Sequence, residues 1–173
     1  MTPQPLPTEF ILKNVTLTWR EMLWGYEHQW ADWSCLNELA TLRVGLDCES
    51  KPVEVELAGM LKCESAGAIE LVRKLVDDER PLPEDVLEKK WLYLVLRWLF
   101  ENRHLVPDVF AIVEELFSDF DYPQEMATFV GFMPPTDGYE PSKHSKAENV
   151  DRMFNNWQKY LINAEKQFRN TSG

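Results

Sequence analysis

The chain has 173 residues, of which 45% are hydrophobic and 12% aromatic, and its formal net charge is −11. This length and hydrophobic content suffice for a folded core and exclude a disordered chain. The negative charge disfavours binding to nucleic acid or to an anionic membrane, and it favours either a basic protein partner or simple solubility.

The cysteines and the apolar blocks indicate the compartment. Cys35, Cys48 and Cys63 are scattered and form no CxxC pair, which argues against a disulfide framework and a zinc ribbon. We therefore expect reduced, mostly buried thiols in a cytoplasmic protein. The first ten residues lack the basic and apolar parts of a signal peptide, and the longest apolar block, 91–100, is far shorter than a membrane span.

The first half of the chain predicts short amphipathic helices. Residues 1–8 contain three prolines and indicate an extended lead-in, and 10–15 fits either a short strand or an entry turn. Thr18 and Glu21 have the spacing of a capping box, and apolar side chains follow at helical spacing. The other helix starts predicted here are a cap at Ser34, a first turn at Lys51-Pro52 and a cap at Ser65.

The second half of the sequence predicts a central helix and a last helix, and the last helix has the clearest helical pattern of the chain. Pro83 and the two acids after it suit a first turn, and apolar residues then cover most sides of the helix through Phe100, which is typical of a central helix. The last helix has regular apolar spacing up to a frayed tail, 170–173. The remaining predicted starts are Asp108, Pro123 for a short helix of about one to two turns, and a capping box of Ser145 with Glu148.

No stretch alternates apolar and polar residues as a strand does, and no fixed repeat period is present. The sequence therefore predicts an all-α fold, a single compact domain over residues 1–173. It should contain about seven to eight helices, and successive helices could stack as pairs.

The segment 104–142 is distinguished by its charge. It contains eight Asp and Glu residues and no Lys or Arg, a formal charge of −8, whereas 143–173 carries +3. Because a balanced surface mixes both signs, this segment is either a docking face for something positive or a solvated acidic surface. Aromatic residues among the acids, Phe120 included, are candidate anchors. The predicted partner-binding residues are Glu114, Glu115, Asp119, Asp121, Tyr122, Glu125, Phe132, Asp137, Tyr139 and Glu140.

The two aspartates before Pro123 have competing interpretations. Asp121 is placed to cap the helix opening at Pro123, which is the favoured role, ahead of partner contact and of catalysis. Asp119 fits partner contact and a plain solvated charge equally well. The acidic corner 77–88 is an alternative docking site, although Arg80 dilutes its charge.

Catalytic and cofactor motifs are missing from the sequence. There is no dinucleotide, phosphate-loop, zinc-protease or nucleophile-elbow motif, and His28, His104 and His144 lie far apart. We therefore predict no catalytic residues, no metal, no cofactor and no enzymatic activity.

Four stretches carry a resemblance to a known family. They are TLTWREMLWGY, KKWLYLVLRWLFENR, ELFSDFDYPQEMATFVGFMPP and DGYEPSKHSKAENVDRMFNNWQKYL. With them the chain, over about residues 8 to 162, resembles an uncharacterised bacterial family, domain of unknown function 2247. The family offers no catalytic residues to transfer. The resemblance implies a bacterial origin and a likeness to the small acidic immunity proteins found beside secreted polymorphic toxins.

Three functions follow from these observations, in order of preference. The first is a cytoplasmic immunity protein that binds a basic toxin domain, such as a nuclease, and blocks its active cleft. The second is a helical adaptor with no toxin partner. The third is a carboxylate-based enzyme, which would need two acids converging in a pocket.

Overall fold

The computed structural model describes residues 4–47 and 49–170, and within them all regular structure is helical. The all-α prediction is confirmed. The described residues fall into two compact units, an N-terminal unit of residues 4–94 and a C-terminal unit of residues 95–170. The boundary lies inside one helix, and the single-domain organisation stays a prediction.

The N-terminal unit is built from short helices. Within it, the third helix packs against the first and the fourth, and the fifth packs against the second and the fourth. The helices are α1 (Thr8–Asn14), α2 (Trp19–Glu27), α3 (Trp33–Leu46), α4 (Pro52–Gly59), α5 (Ala68–Asp77) and the first part of α6 (Glu84–Glu101), with a 3₁₀ helix at Lys62–Gly67 before α5.

Local capping decides where several of these helices begin. The predicted capping box is confirmed, since Glu21 Oε2 accepts from Thr18 N at 2.8 Å and Thr18 Oγ1 accepts from Glu21 N at 3.2 Å. The predicted cap at Ser34 is wrong. Asp32 caps α3 instead, because its carboxylate lies three residues before the free N–H of Cys35.

Two other local predictions of this half are also corrected. Residues 10–15 form neither a strand nor an entry turn, because the α-helix α1 begins at Thr8. Ser65 caps no helix, since it lies inside the 3₁₀ helix that leads into α5. Of the predicted extended lead-in, residues 1–3 lie outside the described residues.

Trp19 is the anchor of the N-terminal unit. It is 1% exposed, and its Nε1 donates to Glu54 Oε1 at 2.8 Å. Both oxygens of Glu79 accept from the first backbone N–H groups of α2, at 2.8 Å from Trp19 and 2.9 Å from Arg20. A carboxylate from beyond α5 therefore caps α2, which complements the positive end of the helix dipole.

The predicted central helix α6 is buried along residues 91–96. Trp91 is fully buried, and its Nε1 donates to the carbonyl of Glu21 at 2.7 Å. Its indole lies directly against Gly25 of α2, where an added Cβ would meet ring atoms at 2.0 Å. The glycine is thus required for close approach of the two helices.

The C-terminal unit contains the end of α6, α7 and α8. Trp157 of α8 is fully buried and stacks on Phe129 with ring centroids 5.9 Å apart, while Phe100 of α6 meets it edge-on at 5.1 Å. These rings form the core of the unit. The elements are α7 (Val109–Asp119), α8 (Lys146–Asn170) and the 3₁₀ helices Arg103–Leu105, Gln124–Phe129 and Pro141–Lys143.

The predicted helix starts of this unit are mostly confirmed. Asp108 caps α7 by accepting from Ala111 N at 3.1 Å, and Ser145 with Glu148 forms the second capping box. The short helix after Pro123 is a 3₁₀ helix. The helix α8 extends through Asn170, so the prediction of a frayed tail is wrong at that residue. Residues 171–173 lie outside the described residues.

The described cysteines differ in exposure. Cys35 is buried, and burial together with the nearby charges of Asp32 and Glu38 raises the pKa of its thiol to about 12. Cys63 is exposed and is an exception to the expectation of mostly buried thiols. Cys48 lies outside the described residues.

Among the described residues, no helix has the length and apolar character needed to span a bilayer.

Replacing Gly25 by alanine should destabilise the protein by about 3 kcal/mol, the upper part of the range for overpacking a core, because the rigid indole of Trp91 cannot yield to a methyl group. The measurement is the free energy of unfolding from urea titration. Gly45→Ala is the control, since no atom lies within 4 Å of a Cβ there, and it should leave stability equal or higher. Equal stabilities for both variants would contradict the packing described.

Candidate functional site

The helix α7 presents acidic side chains along the side opposite to its core residues. Val113, Leu116 and Phe117 are buried, and the side of the helix turned away from them is exposed. Glu115 and Asp119, four residues apart, lie on that exposed side. The periodicity of the helix therefore places two predicted site residues together.

The chain reverses sharply where α7 ends. Asp121 and Tyr122 both have left-handed backbone conformations, with φ of 54° and 58°. Tyr122 N donates to the carbonyl of Phe117 at 2.8 Å, which closes the end of the helix. The predicted capping role of Asp121 is wrong, because Pro123 is the N-cap of the following 3₁₀ helix and no side chain caps it.

This reversal brings two exposed aromatic rings onto one buried ring. Tyr122 is 55% exposed and Phe132 is 61% exposed, while Phe117 is buried. The ring centroids of Tyr122 and Phe132 lie 5.3 Å and 5.9 Å from that of Phe117. Phe120, the other predicted anchor, is only 4% exposed and belongs to the core, so that prediction is wrong.

Glu114 joins the acids of α7 to this aromatic group. Its Oε1 lies beside Gly131, so that a Cβ built on the glycine would be 2.9 Å away. The glycine immediately precedes Phe132, and Glu114 lies one turn before Ser118, whose Oγ is 3.4 Å from the Tyr122 hydroxyl. We name the set of Glu114, Glu115, Asp119, Asp121, Tyr122 and Phe132 the acidic–aromatic surface.

Three other predicted residues, in the loop 133–142, have polar partners nearer the C-terminus. Asp137 pairs with Arg152 of α8 at 2.6 Å, and Glu140 pairs with Lys143 at 2.7 Å. The hydroxyl of Tyr139 donates to Asn149 Oδ1 at 2.6 Å. The contacts of Asp137 and Tyr139 fasten the loop to the last helix, and the pair of Glu140 with Lys143 is local to the 3₁₀ helix before it. The sequence did not indicate Arg152 or Asn149, because the fold sets their distance from the loop.

A pocket of about 280 Å³ lies under this loop. Met133, Pro134 and Met153 give it apolar walls. Two of its polar side chains already have partners in the protein, since Arg152 donates to Asp137 and Asn156 Nδ2 donates to the carbonyl of Thr128 at 2.9 Å. The pocket therefore coincides with contacts that fasten the loop to α8.

The remaining acids of 104–142 are uncompensated. Asp108 caps α7, and Asp137 and Glu140 have the ion pairs just described. Across residues 4–47 and 49–170, no basic side chain forms an ion pair with the other five acids of the segment. These five are Glu114, Glu115, Asp119, Asp121 and Glu125, the last on the exposed side of the 3₁₀ helix Gln124–Phe129.

These charges are unfavourable for the helix that holds them. Asp119 lies in the last turn of α7, where the helix dipole disfavours an anion, and that turn has no basic residue. Glu115 and Asp119 repel each other at the i, i+4 spacing. Each effect costs a few tenths of a kcal/mol to about 1 kcal/mol, so the arrangement serves something other than the stability of the free helix.

In the alternative acidic corner, 77–88, two carboxylates already have partners within the chain. Asp78 pairs with Lys51 at 3.3 Å, and both oxygens of Glu79 cap α2. Two tryptophans of the same unit are also held in the fold. Trp24 is 9% exposed and stacks on His28 at 3.8 Å, and Trp33 is the first residue of α3.

In the part of the chain that the structure describes, no group of three or more His, Cys, Asp or Glu side chains is placed to hold a metal ion.

The fold and the surface define an all-helical protein with an uncompensated acidic and aromatic face on its C-terminal unit. A family model of uncharacterised proteins conserved in bacteria, domain of unknown function 2247, matches residues 8–166, and the chain belongs to this family. The resemblance seen in the sequence is confirmed, and its link to toxin immunity stays a prediction. No curated protein and no solved structure matches the chain.

Replacing Asp121 by glycine should stabilise the protein by about 0.5–1 kcal/mol, because relief of the left-handed strain exceeds the added entropy of the unfolded chain. The measurement is the free energy of unfolding in urea. Asp121→Ala is the control, since it removes the carboxylate and keeps the strain. An equal loss of stability in both variants would show that the carboxylate of Asp121 does cap the following helix.

The pKa of Asp137 is held below its ordinary value of 3.8, first by the side-chain hydrogen bond from Arg152 and then by the backbone N–H of Tyr139. Because the folded pKa is depressed, the pairing contributes stability above pH 3.8 and loses it as pH falls through the folded value. Carboxyl NMR titration should give a midpoint below 3.8 that moves toward 3.8 in Arg152→Met. An unmoved midpoint would show that Arg152 does not hold this carboxylate.

Proposed function

We propose that this protein is a cytoplasmic immunity protein that binds a basic toxin domain through the acidic–aromatic surface and blocks its active cleft. The observation that carries the proposal is the group of carboxylates on and around α7 that no basic side chain of the described chain neutralises. Toxins that cleave nucleic acid need a basic cleft to bind phosphates, so such a cleft would attract this surface.

The exposed aromatic rings provide a candidate anchor for the partner beside these negative charges. Tyr122 and Phe132 lie among the acids and rest on the buried ring of Phe117. Protein interfaces concentrate their binding energy in a few aromatic and arginine side chains surrounded by a polar rim. The acidic–aromatic surface combines these components, since it has two exposed rings together with the carboxylates of α7 and of the corner after it.

The energetic cost of the acids supports a docking role over a merely soluble surface. A surface selected for solubility gains nothing from anions in the last turn of a helix. Residues that lower the stability of the free protein are expected where a partner needs them. This argument favours the immunity role and the adaptor role equally. The likeness to toxin-associated immunity proteins, which the sequence resemblance implies, favours the immunity role.

The test is co-purification with the toxin domain encoded beside this chain's gene, followed by a growth-rescue assay in cells that express that domain. The double variant Glu115→Lys with Asp119→Lys should lose rescue and weaken binding at least tenfold, because it removes two attractive charges and adds two repulsive ones. Its fold should be equally or more stable, since both changes suit the helix dipole.

The matched control is Glu38→Lys with Glu56→Lys, which reverses two exposed acids of the N-terminal unit. It should keep both binding and rescue. Absence of binding by the unaltered chain would refute the immunity role and leave the adaptor role. Equal losses in the two double variants would show that total charge, and not the surface on α7, governs recognition.

A further inference from the structure

The chain repeats one arrangement of three chemical groups, in which a guanidinium lies over an aromatic ring and reaches a carboxylate. Arg152 lies 4.1 Å from the ring centre of Tyr139 and pairs with Asp137 at 2.6 Å. Arg43 lies 5.3 Å from the ring of Trp19 and pairs with Glu54 at 3.7 Å. Both examples combine stacking with charge, which arginine does better than lysine.

The acidic–aromatic surface contains two of these three groups. Tyr122 and Phe132 supply exposed rings, and Glu114 supplies a half-buried carboxylate beside the backbone that precedes Phe132. No arginine or lysine occurs anywhere in 104–142, and none from the rest of the described chain pairs with Glu114. The set therefore lacks only its cation.

We propose that an arginine side chain of the partner completes this set, lying against the rings of Tyr122 and Phe132 with its N–H groups toward Glu114. The inference rests on the proposed function in one respect, namely that a basic toxin domain supplies the arginine. The negative field selects a cation, and the exposed ring faces select a planar, weakly hydrated one.

Neutralising Glu114 tests the charge, and changing a ring tests the stacking. Phe132→Leu keeps a similar apolar bulk and removes the π face, and Glu114→Gln keeps the shape and removes the charge. Phe132 is 61% exposed, so its replacement should leave the fold intact, and the urea midpoint checks this.

The experiment is an NMR titration of the full chain with acetyl-arginine amide, followed at the ring protons of Tyr122 and Phe132. Acetyl-citrulline amide, which has nearly the same shape without the charge, is the matched probe, and acetyl-lysine amide tests the planar group. Arginine should give saturable shifts in the millimolar range, lysine should bind about two- to fivefold more weakly, and citrulline should give none.

Each variant should weaken arginine binding about two- to fivefold, whereas Glu38→Gln should not change it. Equal shifts with citrulline, shifts spread over the whole protein surface, or unchanged affinity in Phe132→Leu and Glu114→Gln would each overturn the inference.

The outcome separates this inference from the proposed function. Arginine binding at the rings without toxin rescue supports the arginine site and refutes the immunity role. Rescue that persists at full strength in Phe132→Leu combined with Glu114→Gln supports the immunity role and overturns the arginine site.

Discussion

The reversal at Asp121 and Tyr122 is the constraint on which the candidate site depends. Two consecutive residues with left-handed backbone conformations end α7 and direct the chain back toward the last turn of that helix. The hydrogen bond from Tyr122 N to the carbonyl of Phe117 fixes the return. It holds the ring of Tyr122 with its centroid 5.3 Å from that of Phe117, at the end of the helix that carries Glu115 and Asp119.

The C-terminal unit holds this corner through its aromatic core. Trp157 stacks on Phe129, the last residue of the 3₁₀ helix that follows the corner, so α8 fixes the chain on the far side of the reversal. The loop 133–142 is in turn fastened to α8 by Asp137 and Tyr139. The unusual composition of the segment thus divides into residues that build the unit and residues that remain on its surface.

Helical periodicity and capping chemistry made most of the fold predictable from sequence. The capping boxes at Thr18 and Ser145 depend only on groups three residues apart, so both were predictable. The predicted cap at Ser34 was wrong because the carboxylate of Asp32, two residues earlier, also reaches a free N–H of the helix. The spacing in the sequence does not decide which of two such side chains is the cap. Glu79 could not be found as the cap of α2, since the fold alone brings it near.

The negative charge of the candidate site could be predicted from the sequence, whereas the residues that belong to the site could be predicted only in part. The absence of basic residues in 104–142 is a property of sequence, whereas the pairing of Asp137 with Arg152 depends on how the loop returns to α8. The burial of Phe120 beside the exposure of Tyr122 likewise depends on the reversal. Local sequence places acids and rings in one segment, and tertiary contacts decide which of them face solvent.

The uncompensated acids of α7 also make the protein respond to salt in two opposite ways. In the free chain, added ions screen the repulsion between Glu115 and Asp119 and their unfavourable interaction with the helix dipole, so the helix gains stability. In a complex with a cationic partner, the same ions screen the attraction that brings the two together. Ionic strength therefore sets a balance in which conditions that favour the unbound fold disfavour the bound one.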